Sequence, residues 1–123
     1  MNDKHKFSIL ARFASIRYAY AGIRAFLRSQ HNARVHLFFT VMMVIVSVYF
    51  KVTAMEWIAL VIVTGLVWMA ELFNTAIEAM MDHLSPEQHP AVKFIKDIAA
   101  AAVLVTAVMA VIAGSIIFIP KLF

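Results

Sequence analysis

Residues 98–119 carry no charge, and the run is long enough to cross the ~30 Å hydrocarbon core of a bilayer as one helix. Such a segment constrains everything around it, because hydrocarbon leaves backbone polar groups no partner except those within a helix or a closed barrel. Two further runs share its character. Residues 35–50 (VHLFFTVMMVIVSVYF) are apolar except for His36, and residues 57–70 are apolar until Glu71 interrupts them. No helix breaker follows Glu71 before Pro86, so that helix is predicted to run on through Asp82 and carry its acids out of the apolar slab. At 63% hydrophobic and 15% charged residues, the 123-residue chain is more apolar than a soluble domain of this size can bury. The expectation is a single all-α membrane domain over 1–123, with a surface helix at 1–31 and transmembrane helices at about 32–51, 55–82 and 97–119. Three spans bury little by themselves, which predicts oligomerisation.

Ahead of the first span stand Lys4, Lys6, Arg12, Arg17, Arg24 and Arg28 against a single acid, Asp3. On a helical wheel Ile9, Phe13, Ile16, Tyr20, Ile23 and Leu27 share one face, with Arg17, Arg24 and Arg28 along its flank. That pattern suits a helix lying in the interface against anionic headgroups; the plainer alternative is a topology signal and nothing more. A cleavable signal peptide is not expected, since no uninterrupted apolar core or small-residue cleavage site follows the charges. Lys and Arg number seven before the apolar run that opens at Val35 (those six and Arg34), one in the first loop (Lys51), two in the second (Lys93, Lys96) and one at the tail (Lys121). This places the N-terminus and the second loop on the cytoplasmic side. Asp82, Glu87, His89, Lys96 and Asp97 then lie on that side, and Glu71 and Glu78 approach it from within the second span.

Carboxylates this deep in an apolar run are costly and mark function by default. At 100° per residue, Glu71, Asn74, Glu78 and Asp82 fall within an arc of roughly 80° along about 16 Å of helix. As interhelical glue the stripe is poorly composed, because glue is usually Ser, Thr or Asn and three acids on one face repel one another. Something cationic is expected among them: Lys96, Arg34 or a divalent metal, with an oxygen-only donor set favouring Mg²⁺. Lys96 and Asp97 open the predicted third span, where a lysine can hold a phosphate and a neighbouring acid can hold the lysine. A plainer account of that pair is a topology signal with an acid at a helix start.

The three glycines, Gly22, Gly65 and Gly114, cannot build a phosphate-cradling loop or a dinucleotide fingerprint. With no cysteine, thiolate metal sites and disulfides are excluded. The histidines read as interfacial polar residues rather than a zinc set. In the third span Ala102, Thr106, Ala110 and Gly114 recur every four residues and allow close helix approach.

The run AELFNTAIEAMMD, followed after a short loop by HPAVKFIKDIAAAAVLV, resembles the prokaryotic diacylglycerol kinase and undecaprenol kinase family, whose pattern is E-x-x-N-[ST]-A-I-E-x-x-x-D with a later K-D-x-x-[AS]-[AG]-A-V. The likeness extends over essentially the whole chain. It implies a homotrimer with one surface helix and three transmembrane helices per chain, composite sites shared between subunits, and residence in the bacterial cytoplasmic membrane. It further implies ATP- and Mg²⁺-dependent phosphorylation of a lipid alcohol, serving phospholipid or lipid-carrier recycling, with no nucleic-acid partner.

By the same resemblance Glu71 matches the catalytic acid and general base, and Glu78 a ligand of the Mg²⁺ that bridges the nucleotide phosphates. Lys96 and Asp97 match phosphate contacts, Glu87, Gln88 and His89 a loop bordering the nucleotide, and Tyr18 a further nucleotide contact. Asn74 and Asp82 match supporting polar positions. Before the first span the family carries E-x-N-x-x-[IV]-H; here SQHNARVH places Gln30 at the metal-binding glutamate, while Asn32, Arg34 and His36 fit the rest. An amide is a weaker Mg²⁺ ligand than a carboxylate. The N-x-R-[IV]-H form and AELFNTAIE look more like the undecaprenol kinase branch. Two other classes stay open at this point: a small oligomeric channel in which Glu71 and Glu78 move protons or cations, and a noncatalytic family member.

Overall fold

A computed structural model describes residues 8–87 and 89–123 as four helices: α1 Ile9–Ser29, α2 His31–Tyr49, α3 Ala54–Leu84 and α4 Pro90–Leu122. The last three are long and apolar enough to cross a membrane. The chain divides into an amino-terminal unit ending at Arg34 and a second unit, Val35–Phe123.

In the first unit, Ser8 caps α1 by accepting from the Ala11 N–H at 3.3 Å. At the other end Gln30 leaves the helix with an extended backbone (φ −112°, ψ 121°), its own N–H still donating to the Phe26 carbonyl. Two carbonyls that would otherwise lack partners are satisfied by a side chain from the next helix. Arg34 donates Nε–H to the Leu27 oxygen at 3.1 Å and Nη2–H to the Arg28 oxygen at 2.6 Å. The predicted apolar face of α1 stands outward on this chain, with Ile9, Phe13, Ile16 and Tyr20 all exposed.

In the second unit α3 and α4 form an antiparallel hairpin pinned at both ends. Lys96 Nζ meets Asp82 Oδ1 beside the short loop, and Lys121 Nζ meets Glu56 Oε1 at 3.1 Å where α3 begins. Thr53 and Glu56 make a reciprocal capping box: Glu56 N–H donates to Thr53 Oγ1 at 3.2 Å, and Thr53 N–H donates to Glu56 Oε2 at 2.8 Å. A small core of Val52, Leu60 and Ile117, flanked by Phe50, Trp57 and Phe118, closes this end. Elsewhere the spans turn large apolar side chains outward, Leu104, Val105 and Ile116 among them, as a lipid-facing surface requires.

Lys51, between α2 and α3, has φ of 52°. A side chain with a Cβ in that region is disfavoured by about 1–2 kcal/mol relative to glycine. Lys51→Gly is therefore expected to raise thermal stability in detergent by roughly 1 kcal/mol, net of the extra freedom glycine gives the unfolded chain; an unchanged or lower melting temperature would count against the strain.

The helix lengths set the level of the polar residues. At 1.5 Å per residue α3 and α4 run roughly 45–50 Å, well beyond a ~30 Å apolar core. Counting about 20 residues along α3 from Glu56 reaches the neighbourhood of Ala76. Glu71 thus lies just inside the apolar boundary, with Glu78 and Asp82 just outside it.

One boundary differs from the sequence expectation. The last helix starts not at about 97 but at Pro90, with His89 as N-cap and Nδ1 accepting the Ala91 N–H at 3.1 Å. Proline lacks the N–H that a first helical turn leaves unpaired, so it starts this helix rather than breaking it. Lys96 and Asp97 consequently stand well inside α4, and the account of Asp97 as an acid at a helix start falls away.

Candidate active site

Burial falls steadily along the polar face of α3. Glu71 is buried at 7% exposure, Asn74 and Glu78 are half-buried, and Asp82 is exposed. This is the stripe predicted from helical period, now graded from apolar interior to water.

Two cross-helix hydrogen bonds between α2 and α3 hold the deep end. His36 Nε2 lies 2.8 Å from Glu71 Oε1, and one turn deeper Trp68 Nε1–H donates to Thr40 Oγ1 at 2.9 Å. Thr40 Oγ1–H in turn donates to the His36 carbonyl at 2.7 Å, so the hydroxyl is satisfied in both roles. A carboxylate can only accept, so with Glu71 ionised the bond requires the His36 proton on Nε2. The expectation that the histidines are plain interfacial polar residues is corrected at two places: His36 orients Glu71, and His89 caps a helix. Trp68 and Thr40 were not anticipated, because nothing in sequence spacing joins residues 28 apart on different helices.

Glu78 has no cationic partner among the described residues, whereas Asp82 is taken by Lys96. Of the cations proposed to sit among the acids, Lys96 reaches only the outermost. Asn74 Oδ1, between Glu71 and Glu78 on the same face, is buried without a hydrogen-bond partner. An unsatisfied hard oxygen one turn from an unpaired carboxylate fits Mg²⁺, which is held by one or two protein oxygens plus water and substrate phosphates. Among the described residues no three His, Asp or Glu are placed to hold a metal ion together, so protein groups alone do not complete a cage.

Around the loop end of the hairpin, a cleft of about 520 Å³ brings together Asp82, Glu87, His89, Lys93, Lys96 and Asp97. Gln88 lies outside the described residues. The predicted Asp97–Lys96 partnership is replaced: Asp97 pairs with Lys93 one turn back, and Lys96 reaches across to Asp82. Adjacent residues on a helix do not face one another, and residues four apart do. That spacing was the available signal for Lys93.

A second cavity, about 430 Å³, is an apolar groove among α2, α3 and α4, lined by Thr40, Leu60, Val67, Trp68, Gly114 and Phe118, with His36 at one end. Ala110 and Gly114 of the small-residue stripe face it, while Ala102 is exposed outside it. Tyr18, Gln30, Asn32 and Arg34 belong to the amino-terminal unit; Gln30 is the C-cap of α1 and Arg34 supplies its side-chain cap.

Residues 17–118 match the family model for prokaryotic diacylglycerol kinase. The chain is 34% identical over 118 residues to the undecaprenol kinase of Bacillus subtilis, covering 96% of both proteins. It is 36% identical over 109 residues to a diacylglycerol kinase of Synechocystis, covering 88% of this chain and 62% of that protein. It is also 30% identical over 100 residues to the diacylglycerol kinase of Escherichia coli, at 81% and 82% coverage. An all-α chain with three candidate spans, a graded acidic face on the second and this match across most of its length belongs to the prokaryotic diacylglycerol kinase and undecaprenol kinase family of membrane lipid kinases.

Proposed function

We propose that the protein transfers the γ-phosphoryl group of ATP to the hydroxyl of a membrane lipid alcohol at the cytoplasmic interface, as a homotrimer in the cytoplasmic membrane of a bacterium, with undecaprenol ahead of diacylglycerol as acceptor. The observation that carries this reading is the place of Glu71: a buried carboxylate held by His36, which itself lines the end of an apolar groove. A hydrocarbon tail in that groove brings its polar head to His36 and Glu71. The charged cleft lies on the projecting helix ends, where a water-soluble nucleotide arrives.

The chemistry then needs positioning, charge neutralisation and a proton acceptor. The acceptor oxygen attacks the γ-phosphorus, its proton passes to Glu71, and the bond from the γ-phosphorus to the β-bridging oxygen breaks to release ADP. His36 keeps the carboxylate aimed by holding Oε1, which leaves Oε2 to take the proton. Lys96, with Lys93 beside it, offers positive charge to the nucleotide phosphates, and Glu87 and His89 border them. Asn74 and Glu78 would hold Mg²⁺, whose role when bound is to neutralise phosphate charge. Tyr18, Gln30, Asn32 and Arg34 stay assigned by resemblance.

The likeness to the Bacillus subtilis protein over 96% of both chains supports undecaprenol as acceptor. Purified protein in mixed micelles with labelled ATP and Mg²⁺ should phosphorylate undecaprenol with a higher kcat/KM than diacylglycerol; the reverse order reassigns the acceptor. Gln30 favours a second reading, a member with a degraded metal site. Gln30→Glu is expected to lower the Mg²⁺ needed for half-maximal rate by about tenfold in an already active enzyme, the scale of one improved ligand. A silent wild type awakened by that change would support the second reading.

A further inference from the structure

We propose that Tyr20, Arg24, Arg28 and Arg34 form a binding site for the phosphate of an anionic phospholipid headgroup, a role independent of which lipid is phosphorylated. These residues, with Ile23 and Leu27, line a cleft of about 270 Å³ within the amino-terminal unit.

Residues 8–34 contain Arg12, Arg17, Arg24, Arg28 and Arg34 and neither Asp nor Glu. Arg24 and Arg28 stand four apart on α1, where like charges repel, and no carboxylate pairs with either among the described residues. Arg34 is drawn into the same cleft by its hydrogen bonds to the Leu27 and Arg28 carbonyls. Those bonds occupy the negative end of the α1 dipole, which would otherwise disfavour an anion there. Three guanidinium groups converging with no carboxylate beside them among the described residues call for an anion.

Residue type and size narrow its identity. All three cations are arginine, whose planar fork binds phosphate oxygens in pairs, and the Tyr20 hydroxyl can donate as well. The remaining wall, Ile23 and Leu27, continues the apolar face of α1 that meets hydrocarbon, so a phosphate here has an acyl chain's path beside it. The cleft is smaller than the ~300–1,000 Å³ that accommodates a drug-sized ligand, which suits a headgroup phosphate better than a nucleotide.

The test uses the full chain in zwitterionic nanodiscs containing trace spin-labelled phosphatidylglycerol or spin-labelled phosphatidylcholine, with the motionally restricted fraction giving relative affinity. Wild type should prefer phosphatidylglycerol, and Arg24→Gln/Arg28→Gln should lower that preference by about fivefold for each arginine, roughly 25-fold in all. Arg17→Gln/Lys51→Gln, which removes the same charge elsewhere, should leave it nearly unchanged. Arg24→Lys/Arg28→Lys keeps the charge and loses the fork, so the preference should fall partway. Circular dichroism confirms equal helix content in every variant. Full preference in the lysine variant, or equal loss in the Arg17/Lys51 control, would reduce the effect to diffuse charge and overturn the site. Displacement of the labelled lipid by inorganic phosphate at millimolar concentration would assign the cleft to a free anion instead.

Discussion

Glu71→Gln is expected to lower the rate of phosphoryl transfer by about 10²–10⁴-fold, the usual contribution of a positioned acid or base. The substitution keeps the shape and the oxygen that accepts from His36 Nε2, so the 2.8 Å bond between α2 and α3 can survive. It also removes a buried charge, and stability should therefore hold or rise slightly. Because Glu71 is absent from the charged cleft lined by Lys93, Lys96 and Asp82, KM for ATP should change little. The loss belongs in kcat. Steady-state kinetics on reconstituted protein, paired with a thermal melt, checks all three. A variant that retains about a third or more of the wild-type kcat would remove Glu71 from the proton-transfer role, since that is far less than the smallest loss expected of a general base.

The second large effect has two signs. Glu78 is half-buried at the apolar boundary and has no cationic partner among the described residues, so in the absence of metal and nucleotide it stands as an uncompensated acid beside the unsatisfied Asn74 oxygen. Glu78→Gln is expected to stabilise the ligand-free protein by up to about 1 kcal/mol, by removing an unpaired, half-buried charge. The same change should cut the rate by roughly 10–100-fold and raise the Mg²⁺ requirement, because an amide is a poor substitute for a carboxylate in the ligand set. Stability gained where activity is lost is the signature of a residue retained for function. Thermal melts with and without Mg²⁺·ATP separate the two: wild type should be stabilised by the complex far more than the variant. Equal stabilisation of both would take Glu78 out of metal binding.

Much of this was legible from periodicity. A charge-free run sufficient for a crossing, two runs like it and a polar stripe of Glu71, Asn74, Glu78 and Asp82 follow from spacing alone, since helix geometry converts sequence intervals into faces. The residues of the charged cleft, too, were legible, because they flank one short loop. What the sequence left obscure is what depends on another helix. Glu71 and His36 are 35 residues apart, and Trp68 and Thr40 are 28 apart; no interval predicts which rotamers meet across α2 and α3. The partners of Lys96 and Asp97 depend on where α4 starts: Pro90 begins it, so Asp97 pairs within its own helix and Lys96 across to α3. The apolar groove was invisible because Leu, Val and Met line lipid-facing and groove-facing positions alike.

A carboxylate at the apolar boundary can serve phosphoryl transfer or ion movement, and Glu71 is assigned to the first. The direct measurement uses proteoliposomes of wild type and Glu71→Gln, supplied with γ-labelled ATP, Mg²⁺ and a lipid alcohol, with an internal pH dye to record proton flux. Label passing into the lipid with wild type, at least about 10²-fold less with Glu71→Gln, and no protein-dependent flux is the predicted result. Proton flux that depends on Glu71, with no label in any lipid, would contradict it.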